Sequence, residues 1–399
     1  MHQNQKNVLL LDGFALALTI REVALFMKRM LLICLLAFCF LLKVADPASA
    51  SPAISSNSAV LMDVTTGTIL FQKNIHQRME PASTTKILTA IVAIENGDLT
   101  SKTTVSKNAA RIEGSSIWLS QGEVQTLEDL LYGVLLSSGN DASVAVAEHI
   151  AGNQDQFVAM LNEKARAIGA RESNFVNPHG LPASDHLTTV HDMALITRYA
   201  LHNPIFAKMV STRQYVIPWP GNDWDRSMTN HNKLLWRFDG ADGVKTGYTR
   251  SAGHCLVASA TKENRQLLAV VFKSQDMYAD CAALLEWGFA NFDLVRVTAA
   301  GQVIRPLAIT DGVSNAVNVI PAQELNLVLS KSQALKTTVE IDIPSSIPAP
   351  VERLQSVGKL RAVCEGRIMA ETDLLAEDAV PRRTFLHAFI DWLKRLFSR

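Results

Sequence analysis

The sequence predicts an α/β chain of the α+β kind: a mixed antiparallel sheet packed with a helical block, then a small all-β domain, then a basic amphipathic helix. Three observations predict it. From Ser83 to Ile94 the chain is apolar nearly all round, as a helix buried through the middle of a domain must be. Near Gly243 a helical period gives way to extended runs. Beyond Asn291 short alternating runs are broken by Pro321, Pro344, Pro348 and Pro350.

At the N-terminus, Lys28 and Arg29 precede an apolar run from Met30 to Leu42 and then Ala48-Ser49-Ala50, the three-part form of a secretory signal peptide. The run is shorter than the ~20 residues a bilayer span needs. Residues 1–50 are therefore expected to be an extension plus signal, cleaved after Ala50, with Met27 or Met30 as the true start. The mature chain is then exported.

A first, larger domain is expected over 51–292. Ser58 to Val64 and Thr68 to Gln72 are β-branched runs joined at Thr66-Gly67, a hairpin signal. The buried helix from Ser83 has its stop at Asn96-Gly97, and helical patterning returns at Leu127–Leu136, Ala142–Ile150 and Gln154–Ile168. Extended runs follow at Gly243–Thr246, His254–Ala260 and Leu267–Phe272, closed by a helix from Met277 to about Phe289. This gives a mixed sheet with helices on both faces.

Over 293–378 the runs Val317–Ile320, Leu325–Leu329 and Thr338–Ile343 predict a small β-sandwich. In 379–399, Phe385, Leu386, Phe389, Ile390, Leu393, Leu396 and Phe397 recur at three- and four-residue steps among Arg382, Arg383, Lys394, Arg395 and Arg399. That pattern predicts an interfacial helix resting on a membrane surface.

The 399 residues carry 38 Lys plus Arg against 38 Asp plus Glu, so no global basic field argues for a nucleic-acid partner. Cys34 and Cys39 would leave with the signal. Cys255, Cys281 and Cys364 remain, an odd and widely spaced set that is no disulfide framework; the first two fall in apolar stretches and read as buried, inert thiols.

The chemistry concentrates in three short motifs. Ser83-Thr84-Thr85-Lys86 places a lysine on the helical face of a serine. Serine must lose its proton as it attacks, and a lysine whose charge is disfavoured by burial can take it. Ser138-Gly139-Asn140, in a tight connection between helices, offers a hydroxyl to relay a proton to a leaving amine and an amide to hold substrate or lysine. Lys245-Thr246-Gly247 lies on a predicted strand, where the cation attracts a carboxylate and the glycine admits a ligand backbone. An edge strand there would bind an extended peptide by strand addition.

These motifs, in the order and context Pro81-Ala82-Ser83-Thr84-Thr85-Lys86, Ser138-Gly139-Asn140 and Asp242-Gly243-Val244-Lys245-Thr246-Gly247-Tyr248-Thr249, resemble the low-molecular-weight penicillin-binding proteins that are serine-type D-alanyl-D-alanine carboxypeptidases. Asn177-Pro178-His179-Gly180-Leu181, His191-Asp192-Met193-Ala194 and Asn230-His231-Asn232-Lys233-Leu234-Leu235 add to the likeness, which is close over 56–290. The resemblance implies a serine β-lactamase or transpeptidase-like domain and, as substrate, a peptidoglycan stem peptide ending in D-Ala-D-Ala. It implies β-lactam antibiotics as covalent inhibitors, and the signal and terminal helix put the site at the outer face of the cytoplasmic membrane, in the periplasm or cell wall space. It also assigns roles: Ser83 as the acylated nucleophile, Lys86 as base, and Ser138 and Asn140 as aids to proton transfer. Lys245, Thr246, Gly247 and Tyr248 would bind substrate, with the backbone N–H groups of Ser83 and Tyr248 as the oxyanion hole. No cofactor and no metal is expected in this chemistry.

A β-lactamase would share the acylation site, but the middle motif reads Ser-Gly-Asn where one lactamase class has Ser-Asp-Asn, and no Glu-x-x-Leu-Asn is present. A D,D-endopeptidase would use the same acyl-enzyme. A metallopeptidase would need more than His179, His186, His191 and Asp192, for no H-E-x-x-H occurs. A non-catalytic wall-binding protein of the same fold is the reading from another class.

Overall fold

The computed structural model describes residues 51–385; the expected signal segment and residues 386–399 of the expected terminal helix lie outside the described residues. The chain enters through a hairpin, β1 (Ser58–Asp63) and β2 (Ile69–Lys73), turned at Gly67 with φ +76°. That left-handed conformation suits glycine, and the expected Thr66-Gly67 turn is where it falls.

Next come α1 (Lys86–Asn96), a small ladder of β3 (Lys102–Thr104) with β4 (Val124–Thr126), and the helical block α2 (Leu127–Leu135), α3 (Asn140–Ala151) and α4 (Gln154–Ile168). Thr126 caps α2 by accepting from the Asp129 N–H, and Asn153 caps α4 from Gln156, so two helix starts are set by residues just outside the apolar pattern. Then follow α5 (Val190–Leu201), α6 (Pro204–Ser211), a hairpin of β5 (Gln214–Ile217) and β6 (Arg226–Thr229), and the single turn α7 (Leu234–Arg237).

Three long strands, β7 (Ala241–Thr249), β8 (Gly253–Lys262) and β9 (Arg265–Ser274), complete a sheet ordered β2-β1-β9-β8-β7. Every pairing in it is antiparallel, so the expected mixed sheet is mixed only in being joined to helices. Both faces are buried. Val60, Met62, Val257, Leu268 and Val270 pack on the helical block, whereas Leu61, Leu256, Ala258, Leu267 and Val271 pack on Leu284 and Leu285 of α8 (Met277–Asn291). That two-sided burial is why these strands read as continuous apolar runs.

The second domain pairs β10 (Phe292–Thr298) with β13 (Leu325–Ser330). Its larger sheet runs β14-β16-β17-β12-β11-β15, built from β11 (Arg305–Thr310), β12 (Ala316–Pro321), β14 (Thr337–Asp342), β15 (Ser346–Pro348), β16 (Ser356–Cys364) and β17 (Arg367–Ala376). The three expected runs are β12, β13 and β14. Strands β16 and β17 escaped notice because their outer face is charged, with Lys359 and Arg361 paired to Glu371. Beyond 378 the chain goes on pairing with this domain: Val380 bridges Val351 and Arg382 bridges Gly312. The stretch 379–384, expected as the start of a helix, is extended, because Pro381 has no N–H to continue a helix and holds Val380 out of the helical region.

The two domains are tied at Arg265. Its Nε donates to Asp63 Oδ2 at 2.9 Å, and its guanidinium also donates to the carbonyl oxygen of Phe292, the first residue of β10. Cys255, Cys281 and Cys364 are free and buried, and burial pushes the Cys255 thiol up to about 12.

Candidate active site

Ser83 lies in a 3₁₀ turn, Ala82–Thr85, one step before α1 begins at Lys86, so the first motif precedes the helix it was expected to open. The difference matters for the chemistry. On a turn of three residues, positions i and i+3 eclipse, and Lys86 Nζ sits 3.1 Å from Ser83 Oγ. The turn is held by Thr84 Oγ1 donating to the Pro81 carbonyl at 2.7 Å and Thr85 Oγ1 donating to that of Ala82 at 2.9 Å.

Lys86 is fully buried on a helix with no polar face. Two further acceptors surround its amine: Asn140 Oδ1 at 2.7 Å and the carbonyl oxygen of His179 at 2.6 Å. Burial holds its pKa well below the usual lysine value, the nearby Lys245 cation lowers it further, and Asp141 opposes the shift. A neutral amine has two hydrogens and one lone pair. The two carbonyl-type oxygens can only accept, so they take the hydrogens and turn the lone pair toward the Ser83 hydroxyl.

Asn140 opens α3 and is aimed by its own amide, which donates to the carbonyl of Glu113 at 2.6 Å and so presents Oδ1 to Lys86. Ser138 is buried in the same connection with φ +61°, a conformation non-glycine residues reach only under strain. Its hydroxyl is not among the three partners of Lys86. Behind the connection, the Asp141 carboxylate accepts from Ser116 Oγ and from the Ile117 and Leu119 N–H groups at 2.6 to 3.1 Å, fixing the loop that forms one wall.

The third motif lies on β7, an edge of the sheet. Gly247 is packed on the serine turn: a Cβ placed there would stand 3.1 Å from the Ser83 nitrogen and 3.2 Å from the Pro81 carbonyl oxygen. Lys245 is buried, its amine donates to the Thr246 carbonyl at 3.0 Å, and burial brings its pKa down to about 7. Thr246 is half-buried, and Tyr248 stands exposed with its ring 4.6 Å from that of His254. The structure thus brings Ser83, Lys86, Asn140 and Gly247 together, with Lys245 close enough to depress the charge on Lys86.

One participant had no assigned role in the sequence. The stretch Asn177–Leu181 forms a self-capped turn in which Asn177 Oδ1 accepts from the Gly180 N–H at 2.7 Å, and it supplies the His179 carbonyl to Lys86. His186 secures the same region. The Val176 N–H donates to its Nδ1 at 2.9 Å, which leaves the proton on Nε2 to donate to Thr85 Oγ1 at 2.9 Å. Both histidines are held neutral chiefly by burial, with pKa values of about 3 for His179 and about 4 for His186. Asn232, from the other stretch without a role, donates to the Gly243 carbonyl at 2.6 Å and so sets the start of β7.

A serine hydroxyl within reach of a buried lysine amine, beside an edge strand carrying a second buried lysine, is the arrangement of a serine–lysine acyl-transfer enzyme. A profile of the D-alanyl-D-alanine carboxypeptidase family (peptidase S11) matches residues 45–276, one of the penicillin-binding protein 5 C-terminal domain matches 292–382, and the chain belongs to that carboxypeptidase family. It is 32% identical to D-alanyl-D-alanine carboxypeptidase DacF of Bacillus subtilis over 352 residues, covering 86% of this chain and 89% of that one. With DacD of Escherichia coli the identity is 32% over 390 residues, covering 92% and 99%. Among solved structures, penicillin-binding protein 5 of Haemophilus influenzae superposes with a TM-score of 0.73 at 30% identity, covering 84% of this chain and 99% of that one. Penicillin-binding protein 6B of Escherichia coli gives 0.68 at 30%, covering 83% and 98%.

Proposed function

We propose that this chain removes the terminal D-alanine from peptidoglycan stem peptides through an acyl-enzyme on Ser83. The observation that carries the reading is the amine of Lys86, 3.1 Å from Ser83 Oγ and otherwise surrounded by acceptors. Ser83 Oγ attacks the carbonyl carbon of the penultimate D-alanine as Lys86 takes the hydroxyl proton. The oxyanion forms against the backbone N–H groups of Ser83 and Tyr248. The C–N bond then breaks, Ser138 relays a proton to the departing amine, and Asn140 keeps Lys86 in place. Water hydrolyses the ester and frees Ser83. Lys245, with Thr246, anchors the terminal carboxylate, and Gly247 lets the peptide backbone approach.

A β-lactam offers the same carbonyl in a ring and would remain as a penicilloyl ester on Ser83. Mass spectrometry of the purified protein after penicillin tests this directly: an adduct on Ser83, absent in Ser83→Ala, is expected, and no adduct under saturating penicillin would favour a non-catalytic wall-binding role. Incubation with a D-Ala-D-Ala pentapeptide and with a cross-linked dimer separates carboxypeptidase from endopeptidase action, and D-alanine is expected from the pentapeptide. Rapid steady nitrocefin turnover would instead mark a β-lactamase.

The signal-like sequence before residue 51 and the basic, aromatic pattern after Phe385 support work outside the cytoplasmic membrane with peripheral attachment. Among the described residues no helix is long and apolar enough to cross a membrane. Truncation after Arg383 is expected to release the protein from membranes, and continued sedimentation with them would count against attachment by the tail.

A further inference from the structure

We propose a second, non-catalytic site on this chain, for one divalent transition metal of the zinc class, held by His76, Glu172 and His191. These residues come from three separate segments: the connection between β2 and the serine turn, the loop after α4, and the first turn of α5. Their ligand atoms all lie within 4.8 Å of one another, with His76 Nδ1 at 2.6 Å from Glu172 Oε2 and the two imidazole rings 5.0 Å apart. Ligands on a tetrahedral zinc, each at about 2.0–2.1 Å, stand about 3.3 Å apart. All three side chains reach solvent, so their rotation is free to bring the ligand atoms to that spacing.

The surroundings fit a metal as well as the ligands do. The buried Asp192 carboxylate lies 3.3 Å from His191 Nδ1, which leaves Nε2 of that ring to face a metal, and its other oxygen accepts from the Glu172 N–H at 2.8 Å and Ser173 Oγ at 2.7 Å. One carboxylate therefore holds the His191 ring and the backbone of Glu172, and a carboxylate behind the ring is the outer arrangement that metal-binding histidines ordinarily have. Two neutral imidazoles with two carboxylates, one ligating and one behind, balance a divalent charge. Two imidazoles and one carboxylate select zinc-like ions over calcium or magnesium, which prefer all-oxygen sites. Water would fill the fourth position.

The position suggests what binding does. His191 N–H donates to the Ile75 carbonyl, and Met79 and Thr188 exchange backbone hydrogen bonds, so residues 75–79 are clamped to 188–191. Met79 is four residues before Ser83. A metal across His76, Glu172 and His191 would staple the chain leading into the serine turn without touching substrate.

The test uses tag-free mature protein stripped with a chelator and titrated with Co²⁺. The expected result is one equivalent bound with visible d–d bands, displaced by Zn²⁺, and a melting midpoint raised by Zn²⁺. His76→Gln, Glu172→Gln and His191→Gln should each weaken Co²⁺ binding by about tenfold or more, while melting like the parent in chelator and keeping penicillin acylation. Co²⁺ bound with unchanged affinity by a His76→Gln/His191→Gln double variant, or no binding by the parent, would overturn the site. Neither outcome depends on turnover, so a failure here and a failure of the carboxypeptidase reading are told apart.

Discussion

The carbonyl oxygen of Ala82 occupies the space a side chain at Gly180 would need: a Cβ built there would stand 1.9 Å away. Gly180 also has φ +88°, so two independent demands meet at one residue. Gly180→Ala must push the turn Asn177–Leu181 off the serine turn and carry the His179 carbonyl away from Lys86. The expected outcome is a loss of penicillin acylation rate of about 100-fold or more, since small misplacements of catalytic groups cost that much. Stopped-flow acylation checks it, and near-parental acylation by a folded variant would sink the argument.

Lys86 must be neutral to accept a proton, and Lys245 must be charged to hold a carboxylate. Activity should therefore rise with pH as Lys86 loses its proton below the usual lysine range, then fall as Lys245, with a pKa of about 7, loses its own. A bound carboxylate favours the charged form of Lys245. The falling limb of kcat should thus lie about one pH unit or more above that of kcat/KM. Coincident limbs would remove Lys245 from carboxylate binding.

His179 and His186, with folded pKa values of about 3 and about 4, ionise near 6.5 when unfolded. Their contribution to stability is full above about pH 6.5 and is lost as pH falls through 4 toward 3. Across that window the penalty for charging each buried ring lowers stability by on the order of 3 kcal/mol. Urea midpoints between pH 7 and 3.5 should drop steeply, and His186→Gln should flatten that slope while costing about 1–2 kcal/mol at pH 7 through its lost bonds to Thr85 and Val176. An unaltered slope in the variant would refute this.

Arg265 pairs with Asp63, whose side chain is fully buried, and bonds Phe292 across the domain junction. Arg265→Met leaves that carboxylate without its cation, and a loss of about 3–5 kcal/mol is expected. The double change with Asp63→Asn should cost less than the sum of the single changes. Additive effects, read from thermal melts, would show that the pair is not coupled.

The fold was legible where one physical cause dominates. Two-sided burial made β8 and β9 readable as apolar runs, and Gly67 marked its own turn. Ser83 and Lys86 meet because spacing along one turn is a local property, whereas Asn140 and Gly247 join them from distant segments, a meeting that only the likeness of the ordered motifs foretold. What could not be read was contact between distant segments. The His179 carbonyl that completes the Lys86 environment is a backbone atom, without a sequence signature, and the tightness at Gly180 comes from Ala82, about a hundred residues away. The onset of α1 at Lys86 rather than Ser83 escaped because propensity does not distinguish a 3₁₀ first turn from an α one.

Strand β7 forms an edge of the sheet, and receiving an extended guest requires that edge to stay unpaired. The same open row of backbone groups is a template for a second copy of the chain or for a misfolded strand. At Gly247 the serine turn lies over the face of this strand, where a Cβ would stand 3.1 Å from the Ser83 nitrogen, so the turn covers the face and not the row of backbone groups along the edge. The edge that would admit a substrate strand is therefore also the place where pairing with a second copy of the chain would compete with it.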